Sequence, residues 1–160
     1  TDMKSVETGS VDALYSAHNI EHIYPHQVPI ALREFYRVLK EDGMVVITCP
    51  DLQSVCEVVV QDKLLEPLYD SPSGPISPID TLYGHRRFIA EGNEYMAHKG
   101  GFTYPVLNGA FYEAGFKVRI GGRRPLGYEL WLVAFKQKNK PDDELKKIAL
   151  PFIPISSYSQ

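Results

Sequence analysis

The chain has 160 residues, of which 44% are hydrophobic and 23% are charged, a composition typical of one soluble globular domain. Its formal net charge of −3 leaves no cationic excess to neutralise a phosphate backbone, which argues against nucleic acid as the main partner. The two cysteines are too few for a disulfide framework, and no apolar run approaches the ~20 residues that cross a bilayer. We therefore expect a cytoplasmic protein without a membrane partner.

The first part of the chain predicts a strand, a helix and a second strand. Residues 11–17 (VDALYSA) combine β-branched and aromatic side chains after a Gly-Ser turn, which is typical of a buried strand. Over residues 27–40 the apolar positions recur at three- and four-residue steps, which predicts an amphipathic helix that Gly43 ends. The apolar run at 44–48 then indicates a central parallel strand, so the three elements form a right-handed βαβ unit.

The later elements are less regular. Residues 51–65 predict a second helix with Asp51 as its N-cap, and the proline-rich stretch 70–78 predicts an irregular connection. A further helix is expected at 102–114, ended by Gly115, followed by strands at 116–120 and 129–136 with Gly121 and Gly122 in the turn between them. We expect an open α/β sheet that ends in a hairpin with one antiparallel edge strand.

These elements divide the chain into two parts. Residues 1–136 form the predicted domain, within which the variable stretch 62–101 is a lid over the substrate. Residues 137–160 are a charged linker and an apolar, proline-interrupted tail, which we expect to be disordered or docked in extended form on a partner.

A set of motifs in the first 50 residues resembles the class I S-adenosylmethionine-dependent methyltransferases, in particular the methyltransferase type 11 group. The motifs follow the predicted strand and helix in the family's order: Glu21-His22, Arg37-Val38-Leu39-Lys40, Gly43 and Pro50. The resemblance implies a Rossmann-like α/β fold with an antiparallel C-terminal strand hairpin, and S-adenosylmethionine as the cofactor. It also implies methyl transfer to an acceptor that we expect to be a small molecule or saccharide-like.

The resemblance has one departure. The family's glycine-rich turn after its first strand has no counterpart here, and Gly121-Gly122 comes too late in the chain to replace it. We therefore expect an N-terminally truncated domain that, by itself, binds the cofactor weakly and is inactive or weakly active. The alternative is a non-catalytic methyltransferase-like module that self-associates through its incomplete sheet, as a homodimer or a domain-swapped assembly.

The resemblance also assigns cofactor-binding residues. It implies that Asp2 accepts a hydrogen bond from the adenine amino group and that Met3 packs on the adenine face. Ala17, His18 and Asn19 come at the carboxyl end of the first predicted strand, the edge at which ligands bind in open α/β sheets.

The candidate catalytic residues are His18, Glu21 and His22. The resemblance implies that they lie near the transferring methyl group, where His22 or His18 can act as a base towards an oxygen or nitrogen acceptor. A structural alternative is a hydrogen-bonding cluster that caps the following helix. A metal site formed by these residues with His26 is a further alternative, but Pro25 interrupts the helical face that it requires, so we expect no metal.

A polar and aromatic cluster in the predicted lid is the candidate acceptor site. Its members are Tyr83, His85, Arg86, Tyr95, His98 and Lys99. All of them except Tyr95 are our candidate acceptor-binding residues, of which Arg86 or Lys99 can bind an anion. The alternative is a solvated face on which the aromatic side chains pack. We expect packing roles for Tyr128, Glu129 and Trp131 near the last strand, and for Cys49.

Overall fold

The computed structural model describes residues 2–125, 127–137 and 139–154. Six strands are present in these ranges: β1 (Val11–Ala17), β2 (Leu39–Pro50), β3 (Tyr69–Ser71), β4 (Gly74–Ile76), β5 (Val118–Arg123) and β6 (Glu129–Phe135). The α-helices of the same ranges are α1 (Val28–Val38), α2 (Leu52–Val59), α3 (Pro78–Tyr83), α4 (Arg86–Ala90), α5 (Tyr104–Glu113) and α6 (Asp142–Ala149). None of the helices described is long and apolar enough to cross a membrane.

The main sheet has the strand order β1-β2-β6-β5. β1 and β2 are parallel, whereas β6 is antiparallel to both of its neighbours. The predicted C-terminal hairpin is confirmed, but the antiparallel strand is interior, and the prediction that it lies at the edge was wrong. Because β6 runs against β2, its first residue, Glu129, pairs with Pro50 at the end of β2. The start of β6 therefore lies at the edge of the sheet where β1 and β2 end.

Both faces of the sheet are covered, as the apolar run in β2 predicted. On one face Val45 and Ile47 pack with Leu32 of α1 and with Leu107 and Phe111 of α5. The opposite face has a second apolar cluster, formed by Val46, Val133, Phe135, Leu145, Ala149 and Ile153. Alternate residues of β2 thus enter two cores, which explains why this strand is almost continuously apolar.

The predicted strand at 11–17 is confirmed as β1, and the predicted helix at 27–40 is confirmed as α1 with an earlier end. The helix stops at Val38, because β2 begins at Leu39. The register then shifts, since Val11 pairs with Leu39 but Ala13 pairs with Met44. Gly43 lies in this irregularity, where a Cβ atom would be 2.9 Å from the carbonyl oxygen of Lys40. The glycine therefore serves a close backbone approach and not the end of the helix.

Two predictions for connecting segments were wrong. Residues 70–78 are not irregular throughout, because β3 and β4 form a two-stranded antiparallel hairpin. A glycine with φ of +107°, Gly74, begins β4. Gly121 and Gly122 lie inside β5, and a Cβ atom on Gly121 would be 2.1 Å from the carbonyl oxygen of Trp131. Gly121 thus lets β5 and β6 approach closely, and the prediction that Gly121 and Gly122 form the turn between these strands was wrong.

The predicted N-cap of α2 and the predicted position of α5 are confirmed. Asp51 caps α2 by accepting a hydrogen bond from the backbone N–H of Gln53 at 3.1 Å, as predicted, although the helix ends earlier than expected, at Val59. α5 lies within the predicted range, and Gly115 follows it with φ of +114°.

The C-terminal segment differs most from its prediction. The charged stretch forms helix α6, with Leu145 and Ala149 buried against the sheet, and Ile153 beyond it is buried in the same cluster. The prediction of a disordered or extended tail was wrong as far as residue 154, because the charged side chains occupy only the outer face of an amphipathic helix. Residues 155–160 of the predicted tail lie outside the described residues.

Candidate functional site

A cavity of about 240 Å³ lies at the edge of the sheet where β1 and β2 end. Its acidic and histidine wall residues come from three parts of the chain: His18, Glu21 and His22 after β1, Glu129 at the start of β6, and Asp80, His85 and His98 from the stretch 62–101. All three candidate catalytic residues therefore line one cavity together with two of the candidate acceptor-binding residues.

His18 lies between two carboxylates. Its backbone has a φ of 45°, and its N–H donates to the carbonyl of Thr48 at 2.9 Å, which turns the chain sharply after β1. The ring Nε2 is 3.2 Å from Oε1 of Glu129, and Nδ1 is 3.4 Å from Oε1 of Glu21. The hydrogen bond to Glu129 and, after it, the nearby carboxylate of Glu21 raise the pKa of His18 to about 9. His18 is thus protonated at neutral pH, which favours the role of a donor or cation over that of a base.

Glu129 is a site residue that the sequence analysis assigned to packing. Its carboxylate accepts hydrogen bonds from His18, from Arg124 at 3.0 Å and from the indole of Trp131 at 3.2 Å. The hydrogen bond from His18 is the largest of the effects that lower the pKa of Glu129 to about 2. The signal in the sequence was an acidic residue at the start of a strand, but only the pairing of β6 with β2 brings it to the edge where β1 ends.

Glu21 combines burial with a lack of hydrogen-bond donors. Its side chain is 1% exposed, and in the described structure neither carboxylate oxygen accepts a hydrogen bond. The His18 contact at 3.4 Å is an ion pair without hydrogen-bond geometry. The backbone carbonyl of Glu21 accepts hydrogen bonds from the N–H groups of Lys99 at 2.8 Å and Gly100 at 3.1 Å. These bonds attach the end of the stretch 62–101 to the segment after β1.

His22 meets His98 across this junction. The two rings are 4.8 Å apart between centroids and nearly perpendicular, at 79°. Nδ1 of His22 is 3.3 Å from the carbonyl oxygen of Ala97, and Nδ1 of His98 is 2.7 Å from that of Thr81. A carbonyl oxygen can only accept, so Nδ1 carries the hydrogen in both rings and the neutral form keeps its lone pair on Nε2. Burial lowers the pKa of His98, against the opposing hydrogen bond to Thr81.

The helix-capping alternative is not supported by these contacts. The side chains of His18 and His22 bond to Glu129 and to Ala97, and the residue before α1, Gln27, makes no side-chain cap of the helix. His26 stacks on Tyr24 with 5.7 Å between centroids and is exposed. The metal site considered from the sequence required His26 to lie beside the other histidines, and it does not.

The five candidate acceptor-binding residues separate into two groups. His85 and His98 line the cavity, and both ring nitrogens of His85 are buried without a hydrogen-bond partner in the described structure. Tyr83 is 65% exposed, and Lys99 lies over the ring of Tyr24. The guanidinium of Arg86 is held by the carboxylate of Asp80, at 2.7 Å and 3.0 Å. This bidentate pairing makes Arg86 a clamp of its own segment.

The candidate cofactor-binding residues also separate. Ala17, His18 and Asn19 are exposed at the end of β1. The backbone of Met3 instead binds Glu34 and Arg37 in the second half of α1, which lies at the other end of β1, and Asp2 pairs with Lys4 at 3.4 Å. No hydrogen bond or ion pair joins Asp2 or Met3 to the residues after β1 within the described ranges.

Comparisons with known proteins agree with this architecture. A family described as a methyltransferase domain matches residues 1–47, and no curated protein matches the chain. Among solved structures, the CurJ carbon methyltransferase aligns with a TM-score of 0.54 at 12% identity, over 86% of this chain and 33% of that one. The chain has the class I methyltransferase fold. Its Rossmann-like sheet, expected from the motifs around Glu21-His22, is confirmed.

Two further structures share this methyltransferase fold. An S-adenosylmethionine-dependent methyltransferase from Mesorhizobium loti aligns with a TM-score of 0.51 at 15% identity, over 81% of this chain and 63% of that one. One from Archaeoglobus fulgidus has a TM-score of 0.51 at 12% identity, over 82% and 62%. The chain thus spans between 33% and 63% of the length of the three structures.

Proposed function

We propose that this protein is an S-adenosylmethionine-dependent methyltransferase whose acceptor binds in the cavity at the ends of β1 and β2. The observation that carries the proposal is that His18, Glu21 and His22 line a single cavity at this edge of a methyltransferase fold. Ligands of open α/β sheets bind beyond the carboxyl ends of the strands. The methyltransferase-domain match over residues 1–47 and the methyltransferases of similar fold support the same function.

In this proposal the cofactor binds at the exposed edge beside the cavity. Ala17 and Asn19 are accessible there, and the small side chain of Ala17 leaves room for a ligand at the end of β1. When bound, S-adenosylmethionine supplies an electrophilic methyl group, whose bond to sulfur breaks as a lone pair of the acceptor bonds to the carbon. Adenine contacts by Asp2 and Met3 remain part of the proposal, and they require these residues to approach the edge.

The chain's own residues position the acceptor and remove its proton. His22 is the better base of the two candidates, because its Nδ1 donates to the carbonyl of Ala97 and leaves the lone pair of the neutral ring on Nε2, whereas His18 is already protonated. His85 offers two buried ring nitrogens that have no hydrogen-bond partner among the described residues, and a polar acceptor can satisfy them. A cavity of about 240 Å³ suits a small molecule or one sugar-sized group of a larger acceptor.

The test uses the protein expressed from its complete reading frame. We expect it to bind S-adenosylmethionine in a calorimetric titration and to transfer labelled methyl groups to members of a small-molecule acceptor panel. His22→Ala should lower kcat by about 10²–10⁴-fold with little change in cofactor affinity, because it removes a base but no cofactor contact. His26→Ala, which removes an exposed histidine outside the cavity, is the matched control and should retain full turnover.

Two results would contradict the proposal. Unchanged turnover of His22→Ala per folded molecule removes His22 from the mechanism, and an absence of cofactor binding in the complete protein rejects the methyltransferase function. Because residues 1–160 contain no glycine-rich turn after a first strand, we expect them to bind the cofactor weakly or not at all, and micromolar affinity would contradict this expectation. If the protein from the complete reading frame does not bind the cofactor and self-associates stably, the non-catalytic module is favoured.

A further inference from the structure

We propose that Glu21, His22 and His98 form a binding site for a divalent transition-metal ion of the zinc type. One ligand atom of each residue lies within 4.8 Å of those of the other two. This inference goes beyond methyl transfer, and it replaces our sequence-based expectation of no metal. That expectation considered only histidines close together in the sequence, whereas His98 comes from the far end of the stretch 62–101.

The first supporting observation is the state of Glu21. A carboxylate that is 1% exposed and accepts no hydrogen bond from the described residues is unfavourable unless a cation compensates it. His18 supplies part of this charge at 3.4 Å, but its other nitrogen is committed to Glu129. The second oxygen of Glu21 has no cationic partner in the described structure. A metal ion between the three side chains would supply one.

The second observation is the orientation of the two imidazoles. In metal sites a ligating histidine usually directs its other ring N–H to a carbonyl or carboxylate, which fixes the tautomer and aims the ring. His22 and His98 both have this arrangement, with Nδ1 against the backbone carbonyls of Ala97 and Thr81. The lone pair of each ring is therefore on Nε2, as a metal ligand requires. The two rings come from separate segments of the chain, and both have Nδ1 against a backbone carbonyl.

The third observation is that the cluster is held together by the backbone. The N–H groups of Lys99 and Gly100 donate to the carbonyl of Glu21, so the residues beside His98 are attached to the residue beside His22. Bonds of about 2.0–2.2 Å to an ion require ligand atoms closer together than 4.8 Å, which small side-chain rotations can supply. The ion would bind to a scaffold that is already assembled.

The donor set indicates the class of ion. Two imidazole nitrogens and one carboxylate suit zinc and neighbouring transition metals, and Mg²⁺ and Ca²⁺ prefer oxygen donors. Three protein ligands leave at least one coordination position open, and Glu21, His22 and His98 all line the cavity. If the proposed methyl transfer is correct, an ion here would bind an acceptor oxygen and lower its pKa, and would thereby take over the role of His22, which would act as the base only in the metal-free protein.

Direct metal binding tests the site without cofactor or acceptor. After chelator treatment, the chain should bind one Zn²⁺ in equilibrium dialysis, with a dissociation constant in the micromolar range or below. Co²⁺ should bind at the same site, give visible d–d bands and be displaced by Zn²⁺. If the chain does not bind Zn²⁺ at a ratio of one ion per chain, the proposal is overturned and the three side chains form a cluster without an ion. Because no methyl transfer is measured, this failure is distinct from failure of the proposed function.

Variants assign the ligands. Glu21→Gln keeps the shape of the side chain and His98→Ala removes one imidazole, and each should weaken Zn²⁺ binding by at least about 100-fold. His26→Ala and Cys56→Ser remove an exposed histidine and an exposed thiol outside the cluster, and both should bind as the wild type does. Circular dichroism without metal checks folding, and Glu21→Gln decides if His98→Ala does not fold. Wild-type affinity in folded Glu21→Gln, or equal losses in the two controls, would overturn the assignment.

Discussion

The charged side chains near the cavity have two roles: some can contact a ligand, and others pair with each other and hold the surrounding segments in place. Arg86 was a candidate for binding an anionic acceptor, but the structure pairs it with Asp80, which is buried and also accepts a hydrogen bond from the hydroxyl of Ser77 at 2.6 Å. The same carboxylate accepts from the backbone N–H of Ser77, so it closes the start of α3. His98 and His85, which line the cavity, follow this element in the chain. Asp80 thus contributes to the cavity wall, and its pairing with Arg86 fixes the segment that carries His85 and His98.

The Asp80 clamp predicts a pH-dependent contribution to stability. Burial works to raise the pKa of Asp80, but the hydrogen bonds from Arg86 and Ser77 outweigh it and hold the pKa well below its usual range. A lowered pKa in the folded state means that the stabilisation is present above the pKa of the unfolded chain, about 3.9, and is lost as the pH falls further. Asp80→Asn should therefore lower the free energy of unfolding by about 1–3 kcal/mol at pH 7.

Urea unfolding of Asp80→Asn and wild type at pH 7, 5, 4 and 3 measures this effect. The difference between the two proteins should be constant down to about pH 5 and shrink below about pH 4. Asp12→Asn, in an exposed pair with Lys40, is the control and should change stability by less than about 1 kcal/mol. A difference that stays constant down to pH 3 would contradict the lowered pKa of Asp80.

At the level of elements, α6 shows how a charged segment becomes part of the core. Acidic residues occupy its first turn and lysines its last, as the helix dipole favours. Its two buried positions, Leu145 and Ala149, are four residues apart and therefore on one face. They cover the face of the sheet opposite to α1 and α5, where Val46 and Val133 would otherwise be exposed. Docking of this helix completes the second core.

Leu145→Ala should lower the free energy of unfolding by about 2–4 kcal/mol, because a fully buried side chain leaves a cavity between α6 and the sheet. Lys147→Ala, on the exposed face of the same helix, should change it by less than about 0.5 kcal/mol. Chemical denaturation of both variants measures the difference. Equal, small effects would show that α6 does not stabilise the sheet in solution.

At the level of the whole molecule, the strand order leaves β1 at an edge of the sheet. Tyr15 of this strand is 66% exposed and borders an apolar cavity of about 680 Å³ that also includes Met44, Trp131 and Phe152. An edge strand with an apolar surface beside it is an available pairing site for another chain. The site described above lies at the carboxyl end of the same strand, so pairing along β1 would place a second chain beside the cavity.

We predict that the 160-residue chain self-associates through β1. Static light scattering at micromolar concentration should give a mass above that of one chain, and Tyr15→Lys should shift it towards the monomer, because a lysine on an edge strand disfavours pairing. Tyr95→Lys, at an exposed tyrosine of the stretch 62–101, should leave the association unchanged. A monomer at all concentrations, or equal effects of the two substitutions, would contradict this prediction.

The elements whose patterns are local were predictable from the sequence. The strand at 11–17, the helix that follows it and the apolar run of β2 each carry a periodicity that depends on neighbouring residues alone, and the motifs around Glu21-His22 identified the methyltransferase fold. The same motifs predicted that His18, Glu21 and His22 lie at the edge where ligands bind. The segment after β1 was therefore the part of the candidate site that could be predicted from the sequence.

The other side-chain contacts of the site depend on the tertiary structure, because they join residues that are distant in the sequence. The insertion of β6 beside β2 brings Glu129 to His18, 111 residues away, and the hydrogen bonds to Glu21 bring His98 to His22. Amphipathicity made α6 possible, but its buried face depended on a sheet surface that no local pattern describes. Local propensity thus determined the elements, and the pairing of strands and the docking of segments determined which side chains meet.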